Sequence, residues 1–316
     1  MMEAAPFFED ISGGTAGGAA HWLTTSDGLR IRVGHWNLAK AKGTILIFPG
    51  RTEFIEKYGD SAQAFQDRGY ASLAIDWRGQ GLADRMTSNR SVGHVCSFAS
   101  YQRDVAVALD YAADVGLPRP YFLLGHSMGG CIGLRSLVEG LAVEAAMLSA
   151  PMWGVQMARS LRPLAWGLSA ISTPLGFDQT LVPGQLEEGY ALRTTFEENM
   201  LTNDPDMWAL FGKQLQAHPE LGLGGPSLRW LNASLREMHW LRSQPTPRIP
   251  CLTYLGTEEA IVDPFRIRAR MKNWPDGTLR IIEGGKHEML MDRPDMRNLI
   301  FDETVAFFDA RLAQAA

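Results

Sequence analysis

A serine lies in the pattern G-x-S-x-G at residues 125–129, where the chain reads Gly-His-Ser-Met-Gly. An apolar segment (121–124) precedes the pattern, and a helix-forming segment (128–138) follows it. A serine on such a strand–turn–helix junction has an exposed hydroxyl, which suits a nucleophile. The N-terminus of the following helix offers the Met128 N–H to a developing oxyanion. We therefore predict Ser127 to be a nucleophile and Met128 to be an oxyanion donor.

A serine nucleophile needs a general base, and the histidine that best fits this role is His287. It lies in Glu-Gly-Gly-Lys-His-Glu (283–288), directly after the last predicted strand (279–282). Loops that follow parallel strands meet at one edge of a sheet, so we expect the imidazole to lie near Ser127. The sequence thus predicts a serine–histidine pair.

The third member of such a site is a buried carboxylate that orients the histidine and stabilises its protonated form. Three acids follow the predicted strand 251–255: Glu258, Glu259 and Asp263. Asp263 comes directly before a proline at a helix start, where capping already accounts for it. The two glutamates lie closer to the strand end. We favour Glu259, with Asp263 and then Glu258 as alternatives.

A second oxyanion donor is expected from the loop after the early strand 44–48, where the chain reads Pro-Gly-Arg-Thr-Glu. Gly50 allows a close turn there. The sequence therefore predicts the backbone N–H of Arg51 as the second donor.

The elements that position these residues alternate along the chain. Buried or alternating apolar runs predict strands, and apolar residues at helical spacing predict the helices between them. This alternation indicates an α/β fold built on a mostly parallel, doubly wound sheet. Strands are predicted at 29–36, 44–48, 71–76, 121–124, 145–148, 251–255 and 279–282, and helices at 54–68, 98–109, 128–138, 264–273 and 296–312.

The alternation stops between residues 151 and 245, which predicts a helical cap inserted into a sheet domain formed by 21–150 and 246–316. Residues 1–20, with glycines at 13, 14, 17 and 18, are expected to form a flexible arm. The cap holds five of the nine tryptophans, and residues 163–177 carry no charge. Large aromatic residues suit an acyl-chain tunnel or a lid that touches a membrane surface. Candidates for substrate contact are Trp153, Trp166 and Trp230.

Composition and charge exclude several classes of protein. The chain has 30 Lys+Arg against 35 Asp+Glu, so a nucleic-acid partner is not expected. No apolar run reaches the roughly 18–20 residues of a membrane span. The N-terminus lacks the pattern of a signal peptide, and three distant cysteines favour a reducing compartment, so we expect a cytoplasmic protein. Scattered histidines predict no metal site, no cofactor is expected, and the sequence leaves the oligomeric state open.

Six segments, taken in chain order, resemble the α/β-hydrolase superfamily in its bacterial lysophospholipase and monoacylglycerol lipase branch. They cover nearly the whole chain after the first twenty residues. The segments are Pro49–Glu53 with Lys57-Tyr58; Asp76–Gly81; Gly93–Val95 with Phe98 and Tyr101; Gly125–Gly130; Leu201-Thr202 and Gly224–Pro226 with Trp230; and Gly284–Glu288.

The resemblance implies Ser127 as nucleophile, His287 as base and the amides of Arg51 and Met128 as the oxyanion hole. Two departures stand out. Pro49 replaces the histidine that usually opens the oxyanion loop in the lipase branch, which favours the lysophospholipase side. Glu259 aligns with the usual triad aspartate, and its extra methylene leaves Asp263 open as the acid.

The function implied is a serine carboxylic-ester hydrolase acting on a single-chain amphiphile through an acyl-enzyme. A lysophospholipid is the first substrate class, and a monoacylglycerol or a simple carboxylic ester is the alternative. An acyltransferase or a peptidase would share every motif. A non-catalytic binding protein with the same fold is the rival from another class. Contact with a membrane through the cap is compatible with all lipid substrates.

Overall fold

The computed structural model of the chain describes residues 3–14 and 17–315. Within these residues nine strands form one sheet, in the order β1-β2-β3-β5-β4-β6-β7-β8-β9. The strands are β1 (Glu3–Ala4), β2 (Ala19–Thr24), β3 (Arg30–Trp36), β4 (Thr44–Phe48), β5 (Ala71–Asp76), β6 (Tyr121–His126), β7 (Ala146–Ser149), β8 (Cys251–Gly256) and β9 (Gly277–Ile282).

The strands from β4 to β9 run parallel, while β1, β2 and β3 add an antiparallel edge beside β5. Because β4, β6, β8 and β9 are parallel, their carboxyl ends lie at one edge of the sheet. The loops that follow them begin at Pro49, Ser127, Thr257 and Glu283. This edge therefore collects the segments in which the sequence predicts chemistry.

The described residues also form ten helices. They are α1 (Glu9–Ser12), α2 (Gly59–Gln66), α3 (Tyr101–Asp114), α4 (Met128–Val138), α5 (Leu161–Ser172), α6 (Tyr190–Arg193), α7 (Pro205–Ala217), α8 (Leu228–Ser243), α9 (Pro264–Met271) and α10 (Pro294–Ala315). Short 3₁₀ turns occupy Ile55–Tyr58, Phe98–Ser100, Pro219–Leu221 and Met289–Met291.

The central strands are buried on both faces. Every residue of β4, β5, β6, β7 and β8 is buried. Strands covered by helices on both sides read as continuous apolar runs, which is why sequence alone locates them. β5 and α4 have the predicted bounds. The helix predicted over 54–68 is shorter, because a 3₁₀ turn over Ile55–Tyr58 precedes α2.

The N-terminal segment differs from the flexible arm that the sequence predicts. β1 pairs with β2, and Ile11 of α1 is buried against Phe54 and Leu221. Phe8 stacks on His218 with ring centroids 3.7 Å apart. Contacts of apolar side chains thus hold in place a segment whose glycines predict a flexible backbone. Residues 1, 2, 15 and 16 of the predicted arm lie outside the described residues.

Residues 151–245, called the cap below, contain α5, α6, α7 and α8. None of its described segments joins the nine-stranded sheet. α5 packs along α8, where Asn232 donates a hydrogen bond to Ser169 at 3.2 Å. Across the described part of the chain, every helix is too short or too polar to span a bilayer.

Candidate active site

Ser127 occupies the sharp turn between β6 and α4, with φ 50° and ψ −114°. A non-glycine residue at positive φ is strained, and such strain is found at functional sites. The turn also needs a glycine at position 129, since a Cβ there would lie 1.8 Å from the Phe48 carbonyl oxygen. The last glycine of the G-x-S-x-G pattern is therefore required by the backbone geometry of this turn.

The structure brings Ser127, His287 and Glu259 together. His287 Nε2 lies 2.9 Å from Ser127 Oγ, and His287 Nδ1 lies 2.8 Å from Glu259 Oε2. The three residues are buried, and 160 residues of sequence separate the serine from the histidine. A nucleophile bonded to a base that is oriented by a carboxylate is the geometry of nucleophilic catalysis.

Glu259 is held by the backbone as well as by the histidine. Its Oε1 accepts hydrogen bonds from the N–H groups of Ile261 at 2.7 Å and Val262 at 3.0 Å. Burial raises the pKa of Glu259, but His287 and the two amides outweigh it, so the net pKa is lowered. A carboxylate that stays ionised beside an imidazole stabilises the imidazolium.

The two alternative acids lie elsewhere. Asp263 caps α9, where its carboxylate accepts a hydrogen bond from the Phe265 N–H at 3.0 Å. Glu258 is exposed to solvent. Neither is hydrogen-bonded to His287, which contacts Glu259 instead.

The two candidate oxyanion donors lie in the segments that follow β4 and β6. Met128 is the first residue of α4, where a backbone N–H has no acceptor within its own helix. Arg51 lies in the loop after β4, which is held by side chains around it. Trp77 donates to the Pro49 carbonyl at 3.0 Å, and Gln80 donates to the Gly50 carbonyl at 2.9 Å. The loop is thus fixed before substrate arrives, as an oxyanion hole requires.

A buried charge network lies beside the triad, and we define it by Glu53, Lys57, Tyr58, His126 and Glu288. Lys57 Nζ donates to Glu53 at 2.6 Å and to Glu288 at 2.8 Å. Tyr58 donates to Glu53 at 2.6 Å, and His126 Nε2 lies 3.4 Å from Glu288. Glu53 also accepts a hydrogen bond from the Gly50 N–H. The network therefore joins the loop after β4 to the loop of His287.

Opposite charges offset the cost of burying this network. Burial lowers the pKa of Lys57, but Glu288 and Glu53 outweigh it and raise the net pKa. For the carboxyl of Glu288 the directions are reversed. Burial raises its pKa, but His126 and Lys57 outweigh burial and hold the net pKa well below its ordinary value. Glu53, His126 and Glu288 have ligand atoms within 4.8 Å of one another. The Lys57 ammonium bonds to both of these carboxylates and supplies the positive charge that a metal ion would bring.

A cavity of about 500 Å³ opens onto the catalytic groups. Ser127 and His287 line it together with Trp230 from the cap. Its other apolar lining includes Phe54, Met152, Val155, Met200, Leu201, Phe211, Leu215, Leu223, Ile261 and Val262. A pocket of this volume, lined by both apolar and polar side chains, is consistent with a small-molecule site.

Two of the three tryptophans expected at the substrate do not line this cavity. The indole of Trp153 donates to the Gly130 carbonyl at 3.2 Å and stacks on Trp274, which directs it away from Ser127. Trp166 lies on the solvent side of α5 and is 37% exposed. Both line a separate, smaller cavity of about 140 Å³. The count of tryptophans in the cap indicated an apolar region without indicating where each ring points.

The cap contacts the loop of His287 directly. The N–H of Glu288 donates to the Leu201 carbonyl at 2.8 Å, and Lys286 donates to the Asn199 carbonyl at 2.9 Å. Asn203 donates to the Gly284 carbonyl at 2.7 Å. These bonds fix the histidine loop against the cap.

Residues 39–294 match the model of the Hydrolase_4 family, described as serine aminopeptidase, S33. The chain belongs to this family. The matched residues include the sharp turn at Ser127 and the loop of His287. The match confirms the expected serine-hydrolase class. The protein is therefore an enzyme of the α/β-hydrolase superfamily, and it hydrolyses its substrate with a serine-based site.

Relatives of this hydrolase place it in the branch that the sequence resembles. It is 28% identical to lysophospholipase L2 of Escherichia coli K12, with 91% of this chain and 86% of the relative covered. It is 24% identical to a probable lysophospholipase L2 of Haemophilus influenzae, with 98% and 96% covered. Identity to the monoglyceride lipase of Mus musculus is 25%, with 93% and 91% covered.

Solved structures share the fold of this hydrolase. A soluble variant of monoglyceride lipase from Saccharomyces cerevisiae superposes with a TM-score of 0.73 at 17% identity, covering 94% of this chain and 97% of that one. A carboxyl esterase from Bacillus coagulans gives a TM-score of 0.74 at 17% identity, covering 94% and 100%. The predicted α/β-hydrolase fold, with its mostly parallel sheet, is confirmed.

Proposed function

We propose that this hydrolase cleaves the acyl ester of a single-chain amphiphile, with a lysophospholipid as its first substrate class and a monoacylglycerol as its second. The observation that carries the proposal is the hydrogen-bonded chain from Ser127 through His287 to Glu259, at the wall of an apolar cavity of about 500 Å³. The names of the relatives in Escherichia coli and Mus musculus support the same two classes.

The mechanism follows from the geometry. Ser127 Oγ attacks the acyl carbonyl while His287 Nε2, 2.9 Å away, takes its proton. The N–H groups of Met128 and Arg51 stabilise the tetrahedral oxyanion. His287 then protonates the leaving alcohol, and a water molecule activated by the same imidazole hydrolyses the acyl-enzyme. Glu259 keeps the imidazole oriented and stabilises its positive charge throughout.

The cavity suits one acyl chain better than two. Its volume lies in the range that holds one small ligand, and apolar residues of the cap and the β8–α9 loop form much of its lining. Charged groups, among them Arg51 and Glu188, line the same cavity. A cavity lined by both apolar and charged residues fits an amphiphile with one chain and a polar head.

Residues 151–245 act in this proposal as a cap over a sheet domain formed by 21–150 and 246–316. Support comes from Trp230, Met200 and Leu201, cap residues that line the cavity of Ser127. The cap also binds the histidine loop through the Leu201 carbonyl. Movement of the cap would therefore open the cavity and loosen the histidine together.

The cap also offers a surface for peripheral contact with a membrane. Leu161, Leu164 and Ile171 follow one face of α5 at helical spacing, and Leu175 lies in the turn after this helix. The four side chains are 50% to 67% exposed. The two buried residues of α5 are Ser169 and Ser172. A helix that exposes several apolar side chains to solvent is suited to lie in the plane of a lipid interface.

The decisive experiment is a substrate panel with the purified full chain. It compares a lysophospholipid, a monoacylglycerol with the same acyl chain, a p-nitrophenyl ester and an aminoacyl p-nitroanilide, each with and without an added alcohol acceptor. We expect release of free fatty acid, highest kcat/KM on the lysophospholipid and no dependence on the acceptor. Acyl transfer to the acceptor, or cleavage of the anilide alone, would contradict the proposal.

A fluorophosphonate probe separates an active enzyme from a non-catalytic binding protein. We expect the probe to label the native chain at Ser127 and to leave the Ser127→Ala variant unlabelled. Absence of labelling on the native chain would favour a binding protein.

A further inference from the structure

Arg51 is a half-buried cation of the catalytic cavity, and no carboxylate among the described residues pairs with it. Its Nη2 donates to the Gly224 carbonyl at 2.5 Å, and its guanidinium carbon lies 5.3 Å from the centroid of the Trp230 ring. Its Nε is buried and has no hydrogen-bond acceptor. A guanidinium has five N–H donors, so several of them remain available to a ligand.

Buried cations near the sheet differ from Arg51 in this respect. Arg32 pairs with Glu56 at 2.7 Å and with Asp76 at 2.8 Å. Lys57 bonds to two carboxylates of the buried charge network. Burial of Arg51 lowers its pKa to about 10, since only weak opposing contributions come from its surroundings. Removing an unpaired charge even partly from water is costly, and such a cost is offset when a ligand supplies the counter-ion.

Arg85 provides a useful contrast. It too is half-buried without a carboxylate partner in the described part of the chain, and burial lowers its pKa to about 10. Its donors, however, bind three carbonyls, those of Arg90, Ala83 and Gly222. Arg85 is not among the residues that line the catalytic cavity, whereas Arg51 is. Arg85 thus bonds to the loops around it, whereas Arg51 lines the catalytic cavity and its Nε finds no acceptor among the described residues.

The position of Arg51 relative to the reacting ester is set by its own backbone. Its N–H is the proposed oxyanion donor, so its guanidinium lies one side-chain length from the carbonyl under attack. In a 1-acyl lysophospholipid the number of bonds from the acyl carbonyl carbon to phosphorus equals the number from the arginine N to its guanidinium carbon. A guanidinium binds phosphate through paired, charge-assisted hydrogen bonds.

We propose that the Arg51 guanidinium is the binding site for the phosphodiester of a lysophospholipid and determines the preference for this substrate over a monoacylglycerol. The inference rests on the proposed ester-hydrolase function. It assigns the two halves of Arg51 separate roles, the backbone N–H on the acyl oxyanion and the side chain on the head-group phosphate. A monoacylglycerol has a hydroxyl where the phosphate would bind, so it leaves the guanidinium without a counter-ion.

The test is the ratio of kcat/KM for a lysophospholipid to kcat/KM for a monoacylglycerol with the same chain. Arg51→Met keeps the backbone N–H and much of the side-chain length but removes the charge. We expect it to lower this ratio by about 10- to 100-fold, the range for a hydrogen bond to a charged group. Arg51→Lys keeps a positive charge and should give an intermediate ratio. The matched control Arg85→Met should leave the ratio unchanged.

A second measurement does not depend on lysophospholipid turnover. Glycerol 3-phosphate should competitively inhibit hydrolysis of a p-nitrophenyl ester by the native chain, and glycerol should not. In Arg51→Met the inhibition constant should rise at least about 10-fold. Circular dichroism and thermal unfolding establish that each variant is folded before it is assayed.

Each outcome has a distinct meaning. An equal loss on both lipids in Arg51→Met, or a change of ratio in Arg85→Met as large as in Arg51→Met, overturns the phosphate site. Failure of glycerol 3-phosphate to inhibit an active native chain also overturns it. Failure of the native chain to hydrolyse any ester overturns the proposed function itself.

Discussion

Lys57 donates a hydrogen bond to Glu288 at 2.8 Å across 231 residues of sequence. Lys57 follows the loop that carries Arg51, and Glu288 follows the candidate base His287. The same ammonium bonds to Glu53 at 2.6 Å. One buried charge therefore fixes the position of two loops of the site relative to each other. A catalytic geometry that tolerates little displacement depends on such supports.

The first prediction concerns this ammonium. Lys57→Met removes the cation that the buried carboxylates of Glu53 and Glu288 share, and breaking a buried ion pair in this way costs about 3–5 kcal/mol. We expect a loss of that size in the free energy of unfolding, measured in urea, and a fall in kcat because the two loops lose their common support. Lys42→Met is the matched control, because its pair with Asp309 is exposed and such pairs contribute about 0–1 kcal/mol. Equal losses in the two variants would contradict the role of the network.

The second prediction concerns the nucleophile. Ser127→Ala removes the hydroxyl that His287 activates, and we expect kcat on a p-nitrophenyl ester to fall by at least about 10³-fold. Ser243→Ala, an exposed serine of α8, is the control and should retain full activity. Retention of native activity by Ser127→Ala would exclude the proposed mechanism.

The third prediction separates the competing acids. Glu259→Gln keeps the size of the side chain but removes the charge beside His287, and we expect kcat to fall by about 10²–10⁴-fold. Asp263→Ala should instead leave kcat nearly unchanged and cost about 0.5–2 kcal/mol of stability, since it removes the N-cap of α9. The reverse pattern of kcat losses would assign the acid role to Asp263.

The fourth prediction is a dependence of stability on pH. The folded state lowers the pKa of Glu288 well below its ordinary value of 4.5, because His126 and Lys57 outweigh burial. A group with a lowered folded pKa contributes stability above its unfolded pKa and loses this contribution as the pH falls toward its folded pKa. The native chain should therefore lose stability below about pH 4.5.

Glu288→Gln isolates this contribution. The variant should be less stable than the native chain at pH 7, and its free energy of unfolding should fall less steeply below pH 4.5. Urea unfolding at a series of pH values measures both slopes. Parallel slopes for the two proteins would show that Glu288 does not carry the effect.

The sequence predicts the part of the site that depends on local pattern. The turn at Ser127 needs small residues at fixed positions, and β6 and α4 around it have strong apolar signatures. The sequence favours Glu259 over Asp263 because Asp263 precedes Pro264 at a helix start, where capping accounts for it. In the structure Glu259 contacts His287 and Asp263 caps α9. In these cases a short stretch of chain carries its own physical constraint.

The sequence is less informative where partners are distant or where a side chain has more than one direction available. Lys57 and Glu288 lie in segments that are distant in sequence, and no local sequence pattern indicates that the two side chains are in contact. Trp153 and Trp230 are both aromatic residues of the cap, yet only Trp230 lines the catalytic cavity. Trp153 turns away because the Gly130 carbonyl accepts its N–H, a contact that depends on the assembled fold.

The final prediction concerns the exposed leucines of α5 and of the turn that follows this helix. Leu164 is 63% exposed and Leu175 is 67% exposed, so the double substitution Leu164→Gln with Leu175→Gln removes apolar surface without disturbing the core. Inserting one leucine side chain into an apolar phase contributes about 1.5–3 kcal/mol. We therefore expect the double variant to bind anionic phospholipid vesicles at least about 10-fold more weakly in a sedimentation assay.

The matched control for that face is Leu299→Gln. Leu299 lies on α10, outside the cap, and is 49% exposed. It should leave vesicle binding unchanged, and both variants should hydrolyse a dissolved p-nitrophenyl ester at the native rate, because neither site lines the catalytic cavity. The double variant should lose activity only on substrate presented in vesicles. Equal vesicle binding by the native chain and the double variant would show that α5 does not contact the lipid, and the exposed leucines would then need another explanation.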